Sequence, residues 1–539
     1  NENYCHGTCR TRQRGRALAT SASMNTVRFP LLALILFHLV LAVSAPPVTA
    51  AAPPRQLTRA ALEDKIRGGW AGQMIGVSYG APTEFKSNGK IGEWDLTWSP
   101  DRIANAINQD DLYVEMTFAK VMDTVGLEAT SAQYGEAFKD SQYHLWHANA
   151  AARRALNRGI NAPDSGHPKH NLHANDIDFQ IEADFIGLMC PGLPRASNKY
   201  CDRVGRVMNY GDGLYGGMFV CGMYAAAYFE TDPRRVVEAG LACIPTRSEY
   251  GRLIRDLLDW SAQHPNDWRK VWQLVQDKWD KDDPCPDGAL APFNIDAKLN
   301  GAYIAFGLLF GGGDFQKTME ISTRCGQDSD CNPSSAAGVL GVMLGYTRIP
   351  EPFKAGIPAL ADKTFQFTDY SFNDIVKSTE TRALEVIRQA GGKVTETEVI
   401  VPVQKPRAPR LEQWNPGVPY QRIEAKDPAW TWSGVWTDDK GTKVSQCPGN
   451  RATLKFEGIA VALVGRLNQD GGRAEVHLDG KKVGVLDAYI VERTHDNALW
   501  HTYGLKPGPH TLDLVTTDAK DARSKGSTVA VSQAVIYRK

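Results

Sequence analysis

Two pairs of aspartates stand directly before apolar stretches with helical periodicity. Asp110 and Asp111 precede one such stretch, and Asp328 and Asp330 precede another that is almost free of charge. Carboxylates at a helix start can cap the first backbone amides, or they can bind a hard cation such as Mg²⁺ or Ca²⁺. One pair alone favours capping, but its repetition in one region favours a shared cation site. The two roles are compatible, because an aspartate that caps a helix still has an outward oxygen.

A third acidic stretch lies between these pairs. It contains Asp176, Asp178 and Glu182, and the last two would share one face of a helix because they are four residues apart. Like charges at this spacing oppose a helix unless something neutralises them. The stretch is therefore either a solvated acidic face or part of a pocket that binds sugar hydroxyls or transfers protons. The apolar residues interleaved with the acids favour partial burial.

A glycine-rich helix is expected to support the acidic residues. Gly68, Gly72, Gly76 and Gly80 recur at every fourth position, so one face of the helix should be a smooth ridge against which another helix can pack closely. Glu84 follows this helix directly. In a membrane the same spacing would indicate a dimerising helix, but polar neighbours favour a soluble helical bundle.

Periodicity divides the chain into parts of different structural class. Apolar residues at three- and four-residue steps predict an all-α domain over residues 55–405. A Pro-rich linker is predicted at residues 406–419. Short alternating runs with Gly-containing turns predict a β-sandwich over residues 420–539. Four tryptophans of this last part are expected to form core rather than a sugar-stacking platform: Trp430, Trp432, Trp436 and Trp500.

Residues 1–50 are predicted to be a leader and signal peptide, with the signal beginning at Met24. Its apolar run is too short and too interrupted for a membrane anchor. We therefore expect a secreted or periplasmic protein with no stable membrane insertion after cleavage near Ala50. Export permits disulfides among the later cysteines, and Cys190 and Cys201 are the first candidate pair because they enclose a short loop.

Charge and histidine patterns argue against two classes of function. The chain has 61 Lys plus Arg and 61 Asp plus Glu, for a formal net charge of zero, so it lacks the basic field expected of a nucleic-acid-binding protein. Its 12 histidines are scattered, and it contains neither a His-Glu-x-x-His nor a Cys-x-x-Cys motif. The sequence therefore gives no support for a zinc site.

Three stretches, taken in order, resemble those of the ADP-ribosylglycohydrolase family. They are residues 72–85 (GQMIGVSYGAPTEF), residues 109–111 (QDD) and residues 326–332 (GQDSDCN). The resemblance implies an all-α domain that usually binds two Mg²⁺ ions between helices. The chain departs from the family pattern at three positions: Val77 stands where many members have Asp, Gln109 where Ser or Thr is usual, and Cys331 where Thr is common.

The resemblance also implies roles for individual residues. Glu84 would be the acid near the ribose, and Gln109 could offer an amide oxygen, whereas Cys331 is a soft ligand unsuited to Mg²⁺. We expect one or two Mg²⁺ ions, with Ca²⁺ as the alternative. The predicted metal ligands are Gln109, Asp110, Asp111, Asp328 and Asp330; the predicted catalytic residues are Glu84, Asp111 and Asp328; and the predicted substrate-binding residues are Asp176, Asp178, Glu182 and Asn332.

These observations predict a secreted, metal-dependent hydrolase. Its expected substrate is a ribosyl or furanosyl-type glycoside or glycan, cleaved at an N- or O-glycosidic bond. The β-sandwich resembles the carbohydrate-binding-like domains appended to secreted glycoside hydrolases, which fits such a substrate. Two alternatives stay open: an ADP-ribosyl-protein hydrolase that releases ADP-ribose, and a non-catalytic, metal-stabilised carbohydrate-binding protein.

Overall fold

A long series of α-helices is followed by a series of β-strands. The computed structural model describes residues 55–280, 283–491 and 494–539. Its helices are α1 (Arg59–Gly80), α2 (Asp110–Val125), α3 (Ser131–Lys139), α4 (His147–Asn157), α5 (Asp178–Ile181), α6 (Asp184–Leu188), α7 (Pro194–Gly205), α8 (Asp212–Ala227), α9 (Pro233–Leu241), α10 (Glu249–Gln263), α11 (Trp268–Trp279), α12 (Ala297–Gly311), α13 (Phe315–Arg324), α14 (Cys331–Leu344), α15 (Glu351–Lys354) and α16 (Phe372–Gln389). Short 3₁₀ helices lie at Ala81–Thr83, Pro100–Asn108, Asp164–Gly166, Tyr346–Arg348 and Ile357–Ala359.

A small antiparallel sheet belongs to the helical part. Its middle strand β3 (Glu398–Val401) pairs with β1 (Arg55–Thr58) on one side and β2 (Lys393–Val394) on the other. The sheet ties the segment before α1 to the segment after α16. The predicted fold class is confirmed, an all-α domain followed by a strand-rich region, while the domain boundaries at residues 405 and 420 stay a prediction.

Helices α1 and α14 pack backbone against backbone along the glycine ridge. A Cβ atom built on Gly72 would lie 2.2 Å from the carbonyl oxygen of Ala337, and one built on Gly76 would lie 2.2 Å from that of Pro333. Any larger residue would therefore push the two helices apart. Both helices are almost fully buried along their facing lengths. This contact places the end of α1 beside the residues that lead into α14.

The C-terminal strands form two antiparallel sheets packed face to face. The strands are β4 (Val418–Glu424), β5 (Trp430–Ser433), β6 (Thr437–Asp439), β7 (Thr442–Ser445), β8 (Arg451–Gly458), β9 (Ala460–Leu467), β10 (Gly472–Leu478), β11 (Lys481–Asp487), β12 (Thr494–Thr502), β13 (Gly508–Lys520) and β14 (Val529–Arg538). One sheet has the order β11-β10-β13-β8-β5, and the other has β12-β9-β14-β7-β6 with β4 also paired to β14. Apolar residues of both sheets share one core.

Three of the tryptophans pack and form hydrogen bonds within this sandwich. Trp430 is buried in the core, and its ring stacks on Trp432 with centroids 5.0 Å apart. The indole N–H groups of Trp430, Trp432 and Trp436 all donate to backbone carbonyls of the same sandwich. Packing within the sandwich therefore explains these three tryptophans, in agreement with the expectation that they form core rather than a sugar-stacking platform.

The outer face of one sheet rests on the helical part. Residues Ala52–Lys539 form one compact unit, and an apolar cluster joins Leu172 and Ala289 of the helical part to strands β9 and β14. Tyr537 donates from its hydroxyl to the carbonyl oxygen of Pro284 at 2.8 Å, and Arg422 donates from Nε to that of Ala289 at 2.6 Å. The sandwich thus holds the loop between α11 and α12.

Two expectations concern other parts of the chain. The leader and signal peptide predicted for residues 1–50 lie outside the described residues. Among the described residues, every helix is too short or too polar to cross a bilayer. The proposed Cys190–Cys201 disulfide is wrong: both residues are free, buried thiols, and Cys201 faces Cys221 instead.

Candidate active site

The two aspartate pairs meet where α2 and α14 begin. The thiol of Cys331, the first residue of α14, donates to Oδ2 of Asp111 at 3.2 Å. Asp328, Asp330 and Cys331 each present a ligand atom, and these atoms lie within 4.8 Å of one another. The site is therefore assembled by the packing that brings the two helix starts together.

A left-handed turn directs Asp328 and Asp330 into this site. Gly326 and Gln327 have φ values of 89° and 55°, and a Cβ atom on Gly326 would lie 2.1 Å from the carbonyl oxygen of Ser87. The buried side chain of Gln327 holds the turn, because its Nε2 donates to the Pro292 carbonyl oxygen at 2.9 Å and its Oε1 accepts from the Asn294 amide at 2.9 Å. Such a conformation in a non-glycine residue is held only where its surroundings fix it.

Helix capping does not account for all of the aspartate oxygens. Asp330 occupies the N-cap position of α14 and Gln109 that of α2, yet neither side chain makes a capping hydrogen bond. Asp111 and Asp328 are buried, and Oδ1 of each has no hydrogen-bond partner among the described residues. Buried carboxylate oxygens without partners are costly unless a cation compensates them. This observation favours the cation reading of the sequence pattern.

Burial and mutual repulsion raise the pKa values of the clustered carboxyl groups. Loss of hydration, with repulsion from Asp330, raises the pKa of Asp110 to about 6. Burial followed by repulsion from their acidic neighbours raises the pKa of Asp111 and of Asp328 well above the ordinary aspartate value. A cation in their midst would reverse this effect, because it favours the ionised carboxylates.

The available donor atoms fit a hard cation. The carboxylates of Asp110, Asp328 and Asp330 and the amide oxygen of Gln109 are all oxygen ligands, which Mg²⁺ and Ca²⁺ prefer. Cys331 contributes a thiol instead, and burial raises the pKa of that thiol well above its ordinary value. Because it donates a hydrogen bond to Asp111, the thiol orients a carboxylate rather than binding the cation itself.

Glu84 lies at the edge of the aspartate cluster. It follows the 3₁₀ turn Ala81–Thr83 at the end of α1 and is accessible to solvent. Partial loss of hydration at its carboxyl group, with repulsion from Asp330 and Asp110, raises its pKa to about 8. In the absence of a cation, burial and the neighbouring charges therefore favour the protonated form of this carboxyl group.

In the third acidic stretch, one carboxylate is fully hydrogen-bonded within the protein, whereas another has an oxygen left for a ligand. The carboxylate of Asp178 accepts from the backbone amides of Ala148 and Asn149 at 3.2 and 2.9 Å, so it caps the start of α4. Glu182 accepts a hydrogen bond from the side chain of Asn149 through Oε1, and its Oε2 has no partner among the described residues. Asp176 is paired with a ring nitrogen of His173 at 2.8 Å. Their predicted role in substrate binding stays a prediction.

Asn332 points an unused oxygen from the first turn of α14. Its Nδ2 donates to Oδ1 of Asn300 at 2.9 Å, while its Oδ1 has no partner among the described residues. Oδ1 of Asn300 also accepts from the backbone amide of Asp328 at 3.4 Å. Asn300 therefore links α12 to both predicted site residues, a role that its position before a glycine did not suggest.

Two further buried acids lie behind the site. Asp184 accepts from the hydroxyls of Tyr224 at 3.0 Å and Ser335 at 3.1 Å, and burial raises its pKa to about 8. Glu115 accepts from the backbone amide of Phe185 at 2.7 Å. Sequence reasoning missed both, although Glu115 follows Asp111 by four residues on the same helix and Asp184 continues the acidic stretch.

The fold and the site together define a class of protein. An all-α domain that gathers aspartates from two helix starts, with a carboxyl group beside them, contains a candidate metal site, and the family model that it matches makes it a glycohydrolase-type hydrolase. The chain belongs to the ADP-ribosylglycohydrolase family, whose model matches residues 58–383. No curated protein matches the chain.

Several solved structures are similar to parts of the chain. One, described as an ADP-ribosylglycohydrolase-related protein complex, has 16% sequence identity, covers 61% of this chain and 99% of its own, and has a TM-score of 0.39. A family 35 carbohydrate binding module from an environmental isolate has 16% identity, covers 21% of this chain and 90% of its own, and has a TM-score of 0.17. A CBM36-1 domain of a multidomain xylanase, from the hindgut metagenome of Trinervitermes trinervoides, has 12% identity, covers 21% of this chain and 94% of its own, and has a TM-score of 0.18.

Proposed function

We propose that the chain is a metal-dependent hydrolase that cleaves the N- or O-glycosidic bond of a ribosyl or furanosyl-type glycoside. The observation that carries this proposal is the pair of buried, unpartnered oxygens, Oδ1 of Asp111 and Oδ1 of Asp328. Buried carboxylates that neither cap a helix nor pair with a base remain ionised at low cost only beside a cation, and the family is one of glycohydrolases.

Each residue of the site has a distinct task in this proposal. Asp110, Asp111, Asp328 and Asp330, with the amide oxygen of Gln109, would hold one Mg²⁺ or Ca²⁺ ion. When bound, the ion supplies positive charge that orients vicinal sugar hydroxyls and stabilises charge that develops during bond cleavage. Asp111 keeps one oxygen on the Cys331 thiol and directs the other into the site.

Glu84 is the proposed general acid and base. This role rests on its position: it is exposed to solvent at the edge of the aspartate cluster, close enough to Asp330 and Asp110 for their charges to raise its pKa, so that it could reach a leaving group without entering the metal shell. It would protonate the glycosidic oxygen or nitrogen as the bond breaks. The free oxygens of Asn332 and Glu182 would accept hydrogen bonds from sugar hydroxyls.

A comparison of hydrolysis rates on candidate substrates tests the proposed substrate class. Residues 51–539 are incubated with an ADP-ribosylated peptide and with furanosyl and pyranosyl aryl glycosides, each with Mg²⁺, Ca²⁺ or EDTA. Metal-dependent cleavage of furanosides supports the proposal, and release of ADP-ribose supports the alternative that family membership favours. Glu84→Gln should abolish either activity while leaving metal binding intact.

Absence of hydrolysis of every substrate tested would favour a third function. If no substrate is cleaved although a cation stabilises the protein, the non-catalytic carbohydrate-binding alternative replaces the proposal. Thermal unfolding with and without EDTA, together with a glycan-binding screen, makes that distinction. Activity that EDTA leaves unchanged would instead contradict the metal-dependent mechanism.

A further inference from the structure

A second cluster of metal-ligand side chains lies beside the acidic site. It consists of His147, the first residue of α4; His173, in the loop before α5; and Cys285 and Asp287, in the loop between α11 and α12. Each offers one ligand atom, and these four atoms lie within 4.8 Å of one another. None of these residues was selected from the sequence, because the three segments that supply them are far apart along the chain.

The distances within the cluster suit a small tetrahedral site. Sγ of Cys285 lies 3.2 Å from Nδ1 of His173, and Nδ1 of His147 lies 3.3 Å from Oδ2 of Asp287. Ligands bound tetrahedrally at zinc distances of about 2.0–2.3 Å are separated from one another by roughly 3.3–3.8 Å. The other pairs of ligand atoms lie within 4.8 Å of one another, so the four side chains would draw together around one ion, and His173 would give up its contact with Asp176 if it binds through Nδ1.

Burial supports a ligand role. Cys285 and His173 are buried, at 0% and 3% exposure, and the buried Nδ1 atom of His147 makes no hydrogen bond among the described residues, with the carboxylate of Asp287 3.3 Å away. His147 also has a left-handed backbone, with φ of 40°. The capping of α4 by Asp178 at the two following amides holds His147 in this position.

The arrangement of Cys285, His173 and Asp176 does not fit a catalytic relay in which a histidine activates a cysteine nucleophile. In such a relay the imidazole uses one nitrogen for the thiol and the other for the orienting carboxylate. Here Nδ1 of His173 faces both partners, since it lies 3.2 Å from the Cys285 thiol and 2.8 Å from Asp176. Cys285 is also a free thiol with no solvent exposure, so a substrate would not reach it.

The surrounding charge favours a cation in the cluster. Asp176 lies 3.9 Å from Nδ1 of His147, and Asp176, Asp283 and Cys285 form an adjoining group of potential ligands. The carboxylates of Asp176, Asp283 and Asp287 thus surround the two histidines with negative charge, which a bound cation would offset.

We propose that His147, His173, Cys285 and Asp287 bind a zinc-like transition-metal ion, at a site separate from the proposed Mg²⁺ or Ca²⁺ site. Imidazole and thiolate ligands suit zinc, whereas Mg²⁺ and Ca²⁺ require oxygen ligands. The ring of Phe293 lies 5.8 Å from that of His147 and 5.0 Å from that of Phe85, the residue after Glu84, so the two sites are neighbours.

Four protein ligands indicate a structural rather than a catalytic ion. The ion would fasten the loop that carries Cys285 and Asp287 to the start of α4. The same loop is held from the other side by Tyr537 and Arg422 of the sandwich. The site would therefore lock together the helical part, the loop and the sandwich.

Cobalt substitution of the full chain tests the site directly. The protein is stripped with a chelator, loaded with Co²⁺ in the presence of excess Mg²⁺, and examined by absorption spectroscopy; bound zinc is measured separately by elemental analysis. We expect about one zinc per chain and, with Co²⁺, a thiolate-to-metal charge-transfer band with intense tetrahedral d–d bands. Failure of the unmodified chain to bind either metal, or Co²⁺ binding without a thiolate band, overturns the proposal whatever the variants do.

Matched variants identify the thiolate. Cys285→Ser should remove the charge-transfer band, and His173→Gln should weaken zinc binding at least tenfold and provides a second variant if Cys285→Ser does not fold. Cys331→Ser, which alters the thiol of the acidic site, should leave the band unchanged. A band that survives Cys285→Ser or disappears in Cys331→Ser would place the metal in the acidic site and reject this assignment.

Discussion

The thiol of Cys331 donates to Oδ2 of Asp111 across 3.2 Å, which joins the first residue of α14 to the second residue of α2. This contact occupies one oxygen of Asp111 and leaves Oδ1 free of partners among the described residues. Cys331 differs from the Thr that is common in the family, yet it still orients the Asp111 carboxylate. It does so by donating a hydrogen bond from its thiol rather than by offering an oxygen ligand to a cation.

Variants of Cys331 test how a thiol at this position, where Thr is common in the family, affects the site. In Cys331→Thr the hydroxyl can still donate to Asp111 and adds an oxygen that a hard cation accepts, so Mg²⁺ binding should become about tenfold tighter, equivalent to about 1.4 kcal/mol. Calorimetric titration with Mg²⁺ measures the change. Cys331→Val, of similar size, offers no donor and should cost about 1–3 kcal/mol of unfolding free energy by leaving a buried oxygen unpaired. Equal Mg²⁺ affinity in both variants would contradict the role given to this position.

Neutralising Asp328 should separate metal binding from folding. Asp328→Asn removes a buried carboxyl group whose ionisation the fold opposes through burial and repulsion, so the metal-free protein should unfold at a higher temperature, whereas stabilisation by Mg²⁺ should be lost. Thermal unfolding with EDTA and with Mg²⁺ provides both values. Asp314→Asn is the control, because Asp314 caps α13 through a bond to the Lys317 amide and asparagine caps equally well. A normal Mg²⁺ response in Asp328→Asn would remove this residue from the site.

The metal-free protein should lose stability as the pH rises. Burial raises the pKa of Asp110 to about 6 and that of Asp184 to about 8, above the value of about 3.9 for aspartate in an unfolded chain. The folded state therefore binds more protons, so this contribution is complete below about pH 4 and is lost as the pH rises through 6 and then 8.

Urea unfolding in EDTA between about pH 4.5 and 8 measures this dependence. Asp110→Asn should flatten the lower part of the curve, since asparagine does not titrate, and Mg²⁺ should flatten it in the unmodified protein. An Asp110→Asn curve parallel to that of the unmodified protein would show that Asp110 ionises normally.

The glycine ridge should tolerate no side chain. In Gly72→Ala the new Cβ atom would meet the Ala337 carbonyl oxygen at 2.2 Å, and because backbone cannot move aside as a side chain can, we expect a loss of about 3 kcal/mol or more in unfolding free energy. Gly135→Ala in α3 is the matched control, since its nearest neighbours are the side chains of Leu156 and Ala162 at 3.1 and 3.3 Å. Chemical denaturation of both variants tests the prediction, and similar stability of the two would contradict it.

The sequence alone determined the features that depend on local pattern. The period of its apolar residues predicted helices and then strands, the spacing of Gly68 to Gly80 predicted a close helix contact, and the two aspartate pairs predicted where a cation site would lie. The predictions of helices, strands and the close helix contact succeeded because periodicity and backbone size are properties of short stretches, whereas the cation site stays a prediction.

Only the tertiary structure decided which polar atoms are already used. Asp178 and Glu182 look alike in sequence, yet backbone amides of α4 occupy both oxygens of Asp178, while Glu182 keeps one oxygen free. His147, His173 and Cys285 carry no motif, and they meet because α4 and two loops converge. Such meetings depend on long-range packing, which no local spacing records, so the second cluster of ligands became visible only in the folded chain.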